Sequence, residues 1–183
     1  MESRSKRYAM VIDSKKCINC KACVVACRAE NRVPLQYSRP WLNEETRGTW
    51  PKLMAVFQPE QCHHCEHPAC VRVCPTGASY RRSDGIVMIN ESDCVGCRYC
   101  MIACPYNARF FREEKGVVEK CDFCARRLER GRLPACVETC PSKVRVFGDI
   151  NDPHSKLAEL LANREYRLKK PEAGTGPQIY YLI

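Results

Sequence analysis

Sixteen of the 183 residues are cysteine, and they fall into four groups. "CINCKACVVAC" holds Cys17, Cys20, Cys23 and Cys27, and "CHHCEHPACVRVCP" holds Cys62, Cys65, Cys70 and Cys74. "CVGCRYCMIACP" holds Cys94, Cys97, Cys100 and Cys104. The fourth group is spread over "CDFC" (Cys121, Cys124) and "CVETCP" (Cys136, Cys140). Thiols at this density serve a disulfide framework, structural zinc or iron–sulfur clusters. Disulfide frameworks belong to chains under about 80 residues, and zinc sites show separated C-x2-C pairs or Cys/His sets. A tight loop carrying C-x2-C-x2-C instead presents three thiolates to one small cubane. The fourth cysteine lies a helical turn on, points away and serves a neighbouring cluster, and the proline after it ends the turn. Cys104 then reaches from its own loop to another cluster, so the groups must work in pairs. Four sets of four leave no spare thiol.

Other polar residues sit among the sulfurs. His63, His64 and His67 lie inside the second group. With cysteine filling every ligand place, they read as hydrogen-bonding neighbours of a cluster or as residues facing a partner. His154 reads as solvated. Lys21, Arg72, Arg98 and Lys120 interleave with the cysteines, and a cation near a cluster favours its reduced, more negative state. There is no Gly-rich phosphate loop, zincin motif or nucleophile elbow. Clusters with four cysteines each are coordinatively full, so the chain reads as a wire with four stations rather than a catalyst. The net charge of +9 counts thiols as neutral. Four ligated clusters at about −2 each bring the total near +1, so the basic balance compensates buried clusters and does not mark a nucleic-acid surface. A zinc-stabilised binding module for nucleic acid or protein is the alternative from a different class.

The elements that must hold these groups are short. "YAMVI" (Tyr8 to Ile12) leads into group one and "LMAVF" (Leu53 to Phe57) into group two. Ala78 to Tyr80 and Ile86 to Ile89 flank the turn "RRSDG" and predict a hairpin before group three, and "KVRVF" (Lys143 to Phe147) follows group four. Helical stretches begin inside the cysteine runs, at "KACVVACRAEN", "RYCMIAC" and "PACVETC". "SKLAELLAN" predicts an ordinary helix, with Asp152 as N-cap, Pro153 in the first turn, and Leu157, Leu160 and Leu161 on one face. The tail "KKPEAGTGPQIYYLI" reads as an extended strap against this subunit or a partner. Apolar residues other than cysteine are thinly spread, so clusters must supply part of the folding energy. No apolar run approaches the ~20 residues of a membrane span. The start "MESRSKRYAMVIDSKKC" is basic but lacks an apolar signal core or an arginine pair. The chain is expected neither to export itself nor to span a membrane unaided.

The stretches "YAMVIDSKKCINCKACVVACRAEN", "PEQCHHCEHPACVRVCPTGASY", "CDFCARRLERGRLPACVETCP" and "FGDINDPHSKL", with the ending "PEAGTGPQIYYLI", cover nearly the whole chain. In them it resembles the four-cluster electron-transfer subunits of the dimethyl sulfoxide reductase family, and it looks closest to the polysulfide and thiosulfate reductase branch. One departure is Arg28, where the family pattern has Pro after Cys27; the thiolate itself is present. The resemblance implies an α+β fold of two ferredoxin-like modules: an outer one from 1–50 with 105–150, an inner one from 51–104, then a C-terminal helix and tail over 151–183. It implies four [4Fe-4S] clusters. Cys17, Cys20, Cys23 and Cys140 would hold the first, nearest the catalytic subunit. Cys27, Cys121, Cys124 and Cys136 would hold the second. Cys62, Cys65, Cys70 and Cys104 would hold the third. Cys74, Cys94, Cys97 and Cys100 would hold the fourth, nearest the membrane subunit and its quinone. Some nitrate-reductase relatives carry Trp at the second place of group three and a three-iron cluster there; Cys97 at that place implies four cubanes. The implied partners are a molybdopterin catalytic subunit and a polytopic quinone-binding membrane subunit. The implied location is peripheral, at the periplasmic face by co-export or at the cytoplasmic face. A sister complex using arsenate, tetrathionate or dimethyl sulfoxide fits the same wire, which does not touch the substrate.

Overall fold

The computed structural model describes residues 6–183, so the first five residues of the basic N-terminus lie outside the described part. The elements in chain order are β1 (Tyr8–Ile12), α1 (Ala22–Asn31), β2 (Trp41–Thr49), β3 (Lys52–Glu60), α2 (Ala69–Arg72), β4 (Ser79–Arg81), β5 (Val87–Ile89) and α3 (Tyr99–Ile102). They continue as β6 (Arg109–Arg112), β7 (Val117–Lys120), α4 (Ala125–Leu128), α5 (Ala135–Glu138), β8 (Arg145–Asp149), α6 (Lys156–Asn163), β9 (Tyr166–Arg167) and β10 (Ile179–Leu182). This is an α+β fold of short pieces.

The organising sheet runs β8-β1-β10-β9. Its central strand β1 pairs antiparallel with β8 (Ile12 opposite Arg145) and parallel with β10 (Met10 opposite Ile179). Successive side chains of a strand point to opposite faces, and here both faces are buried. Met10 and Ile12 join Phe123, Phe147, Ile179 and Tyr181 beneath the cysteine loops. Ala9 and Val11 join Leu157 and Leu182, with Leu160 and Leu161 of α6 packed alongside. The sheet therefore separates an ordinary apolar layer from the cysteine-rich core. The other strands form two-stranded hairpins: β2–β3, β4–β5 and β6–β7.

The C-terminal tail straps this chain itself. Thr175 and Gly176 carbonyls accept from the backbone of His67 and Glu66, and Gln178 N–H donates to the His63 carbonyl. Tyr181 donates to the buried Glu60 carboxylate at 2.9 Å, which Lys169 also contacts.

Three expectations need correcting. The N-cap of α6 is Ser155, not Asp152: the Ser155 Oγ accepts from Ala158 N–H at 3.1 Å. Asp152 is used one turn earlier, accepting from His154 N–H at 2.9 Å. Ser155 has the extended backbone an N-cap needs, with φ −70° and ψ 141°. The strand after group four starts at Arg145, two residues later than expected, because Lys143 is left-handed (φ 48°) and Val144 N–H donates to the Cys140 sulfur at 3.3 Å. The strand at Leu53 to Phe57 is the middle of a nine-residue strand with an equally long partner, β2. Most of β2 is exposed, so no buried face imposed the alternation by which a strand is read.

Candidate metal centres

Each C-x2-C pair is built on one local device. The residue before the second cysteine is left-handed in all four groups: Asn19 (φ 56°), His64 (φ 44°), Gly96 (φ 70°) and Phe123 (φ 52°). In the first three groups that reversal bends the chain so that both cysteines face one cavity. Gly96 needs its missing Cβ, which would stand 2.6 Å from the Gly116 carbonyl oxygen. In His64 and Phe123 the conformation is unfavourable for a bulky side chain, yet the two rings stack on each other with centroids 3.7 Å apart. The strained positions of groups two and four thus meet at the middle of the protein, where Phe123 also packs edge-on against Phe147 at 5.0 Å. His64 Nδ1 accepts from Val87 N–H at 3.1 Å, and His63 stacks on Tyr106 at 3.9 Å. His67 and His154 are exposed.

The structure brings the cysteines together across long stretches of sequence. Cys17, Cys20, Cys23 and Cys140 line one cavity of about 330 Å³. Cys74, Cys94, Cys97 and Cys100 line a second of about 330 Å³, and Cys62, Cys65, Cys70 and Cys104 a third of about 340 Å³. Cys27, Cys124 and Cys136 lie within electrostatic reach of one another, and Cys121 is within reach of Cys27 and Cys136. Asn31 ties that last set together, its side-chain amide pointing at the Cys27 and Cys124 sulfurs at 3.5 and 3.7 Å. Among the described residues, no three of His, Cys, Asp and Glu converge tightly enough to hold a single metal ion. Four thiols on each cavity, with no histidine or carboxylate converging with them on a single ion, suit a four-iron cluster with four thiolate ligands.

Electrostatics point the same way. Burial pushes the Cys27 and Cys65 thiols up to about 12 and the Cys136 thiol up to about 11. Cys121 is also pushed well up by burial. Such groups become thiolates only beside strong positive charge, which bound iron supplies. Hydrogen bonds to sulfur are in place: Ser79 N–H to Cys74 at 3.3 Å and Phe123 N–H to Cys121 at 3.4 Å. At Cys74 burial raises the thiol, but the hydrogen bonds from Ser79 and Thr76 outweigh it and the net shift is downward.

Of the cations singled out from sequence, Lys120 is buried and donates to the carbonyls of Val87 and Cys121. Lys21 pairs with Glu44 at 3.1 Å, Arg98 lies over the Phe111 ring at 3.8 Å, and Arg72 is exposed. Sequence reasoning missed the buried Arg109 and Arg145 and the half-buried Arg39. Arg39 approaches Asp122 at 3.2 Å and Glu119 at 3.6 Å, beside Cys27 and Cys121. Arg109 donates to the Cys70 sulfur at 2.8 Å, and Arg145 lines the Cys17 cavity.

Residues 53–150 match a 4Fe-4S dicluster domain family, and residues 16–78 match another. Over 96% of this chain, the iron–sulfur subunit of a putative dimethyl sulfoxide reductase from Halobacterium salinarum is 40% identical, covering 78% of that protein. A tetrathionate reductase subunit from Salmonella typhimurium is 46% identical over 96% of this chain and 72% of its own length. A polysulfide reductase polypeptide from Wolinella succinogenes is 41% identical over 97% and 95%. The chain belongs to the iron–sulfur electron-transfer subunits of the dimethyl sulfoxide reductase family. Its cofactors are four [4Fe-4S] clusters, for which sixteen cysteines are enough thiols. As a member of that family it is the electron-transfer component of a reductase complex and not the catalytic one.

Proposed function

We propose that this subunit relays electrons between a quinone-reactive membrane subunit and a molybdopterin catalytic subunit of a polysulfide/thiosulfate reductase-type complex. The ligand sets proposed are those of the three cavities plus Cys27, Cys121, Cys124 and Cys136. The outer module is 1–50 with 105–150 and the inner one is 51–104. Packing of α1 on α5 and of α2 on α3 supports that division. Each bound cluster takes up and releases one electron at a time; the chain holds the stations in order and keeps water from the middle ones.

The observation that carries the reading is the order of the sets and the exposure of its two ends. Cys23 lies near Cys136, Cys121 near Cys62, and Arg109 touches or faces both Cys70 and Cys100. The sets therefore follow one another as first, second, third and fourth. Cys20 and Cys97, in the first and last sets, are exposed, whereas no cysteine of the two middle sets is. Apolar side chains stand in the open around both ends: Ile18 at one, Val95, Tyr99 and Ile102 at the other. Partner subunits at the two ends would cover them. Among the described residues no helix is long and apolar enough to cross a membrane, which agrees with a peripheral place in the complex; co-export with the catalytic subunit puts it at the periplasmic face. A second reading, the same relay in a tetrathionate reductase-type complex, is favoured by the 46% identity to that relative.

Cys97→Ala in the assembled complex tests the direction of the wire. It should convert the fourth cluster to a three-iron form. Turnover with a menaquinol analogue should then be lost, while turnover with reduced viologen entering upstream survives. Equal loss in both assays would remove the fourth set from the quinone end.

A further inference from the structure

The segments that leave three of the four cysteine groups follow one pattern. Cys104-Pro105 is followed four residues later by Arg109, and Cys140-Pro141 by Arg145; Cys74-Pro75 is followed at the same distance by Ser79. Each of these residues opens a strand: β6, β8 and β4. The fourth equivalent, five residues after Cys27, is Arg32, which is exposed. Each pair of groups therefore contributes one buried arginine.

These arginines are unlike the other buried ones. Arg127, also buried, and the half-buried Arg39 face carboxylates. Arg109 is 6% exposed and Arg145 3% exposed, and among the described residues neither forms an ion pair with a carboxylate. Lys120, 4% exposed, forms none either. A buried unpaired cation costs several kcal/mol unless something anionic stands nearby. Arg109 and Lys120 are also directly opposite each other in the β6–β7 ladder, a like-charge pairing that destabilises a sheet by itself. One nitrogen of each arginine, Arg109 Nη1 and Arg145 Nη2, is buried without a hydrogen-bond partner.

The anions are thiolate ligands, and the cations lie between sets. Arg109 lines both the Cys62/Cys65/Cys70/Cys104 cavity and the Cys74/Cys94/Cys97/Cys100 cavity. Its Nη2 donates to Cys70 Sγ and to Ser79 Oγ, each at 2.8 Å, so the serine at the repeat-equivalent position holds the arginine of its neighbour. Arg145 lines the Cys17/Cys20/Cys23/Cys140 cavity and faces Cys23 and Cys136; Gln61 accepts from its Nη1. Lys120 is bound to the Cys121 carbonyl and faces Cys70.

We propose that Arg145, Lys120 and Arg109 are potential-setting residues, one in each of the three gaps of the wire. Each holds the two clusters it separates at a higher reduction potential than a neutral residue would. An added electron makes a cluster more negative, and a fixed cation beside it favours that state. A cation shared by two stations raises both together and so keeps neighbouring steps level, which a cation at one station alone would not do.

The inference rests on the ligand sets proposed above, and the experiment separates the two. Wild-type protein, purified without oxygen, is first assayed for iron; about sixteen irons per chain is required by the ligand sets. Dithionite titration followed by electron paramagnetic resonance then gives the midpoints for wild type and for Arg145→Gln, Lys120→Gln and Arg109→Gln. Each variant should lower two midpoints by at least tenfold in the one-electron equilibrium constant, about 59 mV, and move the others less. The Lys120 pair should share one station with each arginine pair, and the two arginine pairs should share none. Unmoved midpoints in a protein with full iron, or all four moving alike, would overturn the proposal. If a Gln variant loads less iron, Arg109→Lys and Arg145→Lys decide. Restored iron with midpoints within tenfold of wild type supports a charge role. Lys proteins as deficient as the Gln ones would make the guanidinium a packing element and overturn it.

Discussion

The middle of the wire and its ends are built from the same loops but set in different surroundings. Around the second and third sets, Phe123, His64, Tyr106 and Tyr181 pack against the cysteines, and burial drives the thiols upward. Around the first and fourth sets, Cys17, Cys23 and Cys140 still touch the core and burial still raises Cys17 and Cys100, but Cys20 and Cys97 reach solvent beside exposed Ile18, Val95, Tyr99 and Ile102. The left-handed residue of each C-x2-C is stacked aromatic at the middle (His64, Phe123) and small or polar at the ends (Gly96, Asn19). Buried stations are part of the core and share its stability. End stations are the proposed contact points, where a partner would complete the packing.

Removing the metal should break the comparison most severely. With the central thiols unligated, the core that joins Cys62, Cys121 and Cys136 to Phe123 and Ile86 loses its filling, and structure should collapse, as in other metal-dependent small domains. Far-UV circular dichroism of chelated protein that stayed native would show that the apolar layer suffices. Next in size is Phe123→Ala, which empties the middle and should cost about 3–5 kcal/mol. Val95→Ala at the end of the wire should cost under about 0.5 kcal/mol; denaturant midpoints of the two loaded proteins give the contrast. Ile102, 84% exposed, should matter to assembly instead. Ile102→Asp should keep iron content and stability and weaken association with the neighbouring subunit about tenfold or more, roughly 1.4 kcal/mol, measured by co-purification and binding titration. The apolar layer away from both regions should respond less than the middle. Ser155→Ala removes the cap of α6 and should cost about 1 kcal/mol with cluster spectra unchanged.

The α+β class, the four-cluster content and the family were legible because ligand chemistry fixes cysteine spacing and leaves little room for variation. β1 and the β4–β5 hairpin were legible because burial imposes an apolar pattern on them. The β2 strand was not, since its exposed faces carry Asn43, Glu44, Glu45 and Arg47 with no alternation. The cap of α6 was misplaced because Asp152 and Ser155 both precede the helix and only backbone conformation separates them. The cations were legible in part, because neighbourhood in sequence finds those that interleave with cysteines, such as the buried Lys120, and overlooks those that the fold brings in from farther along. Lys21 and Arg98 line the two end cavities while also meeting Glu44 and Phe111, and Arg109 and Arg145, which line cavities too, lie five residues beyond a cysteine. The repeated Cys-Pro-x3-Arg spacing was the available signal for them.

The chain is proposed to be an ordered relay whose sets are completed from distant groups, with Cys140 serving the first set and Cys136 the second. The structure places Cys140 in the cavity of Cys17, Cys20 and Cys23, although Cys136 is only one helical turn away in sequence. Electron paramagnetic resonance of dithionite-reduced Cys17→Ser, Cys140→Ser, Cys27→Ser and Cys136→Ser proteins tests it directly. Cys17→Ser and Cys140→Ser should alter one signal, and Cys27→Ser and Cys136→Ser another. Cys140→Ser altering the same signal as Cys136→Ser would contradict it.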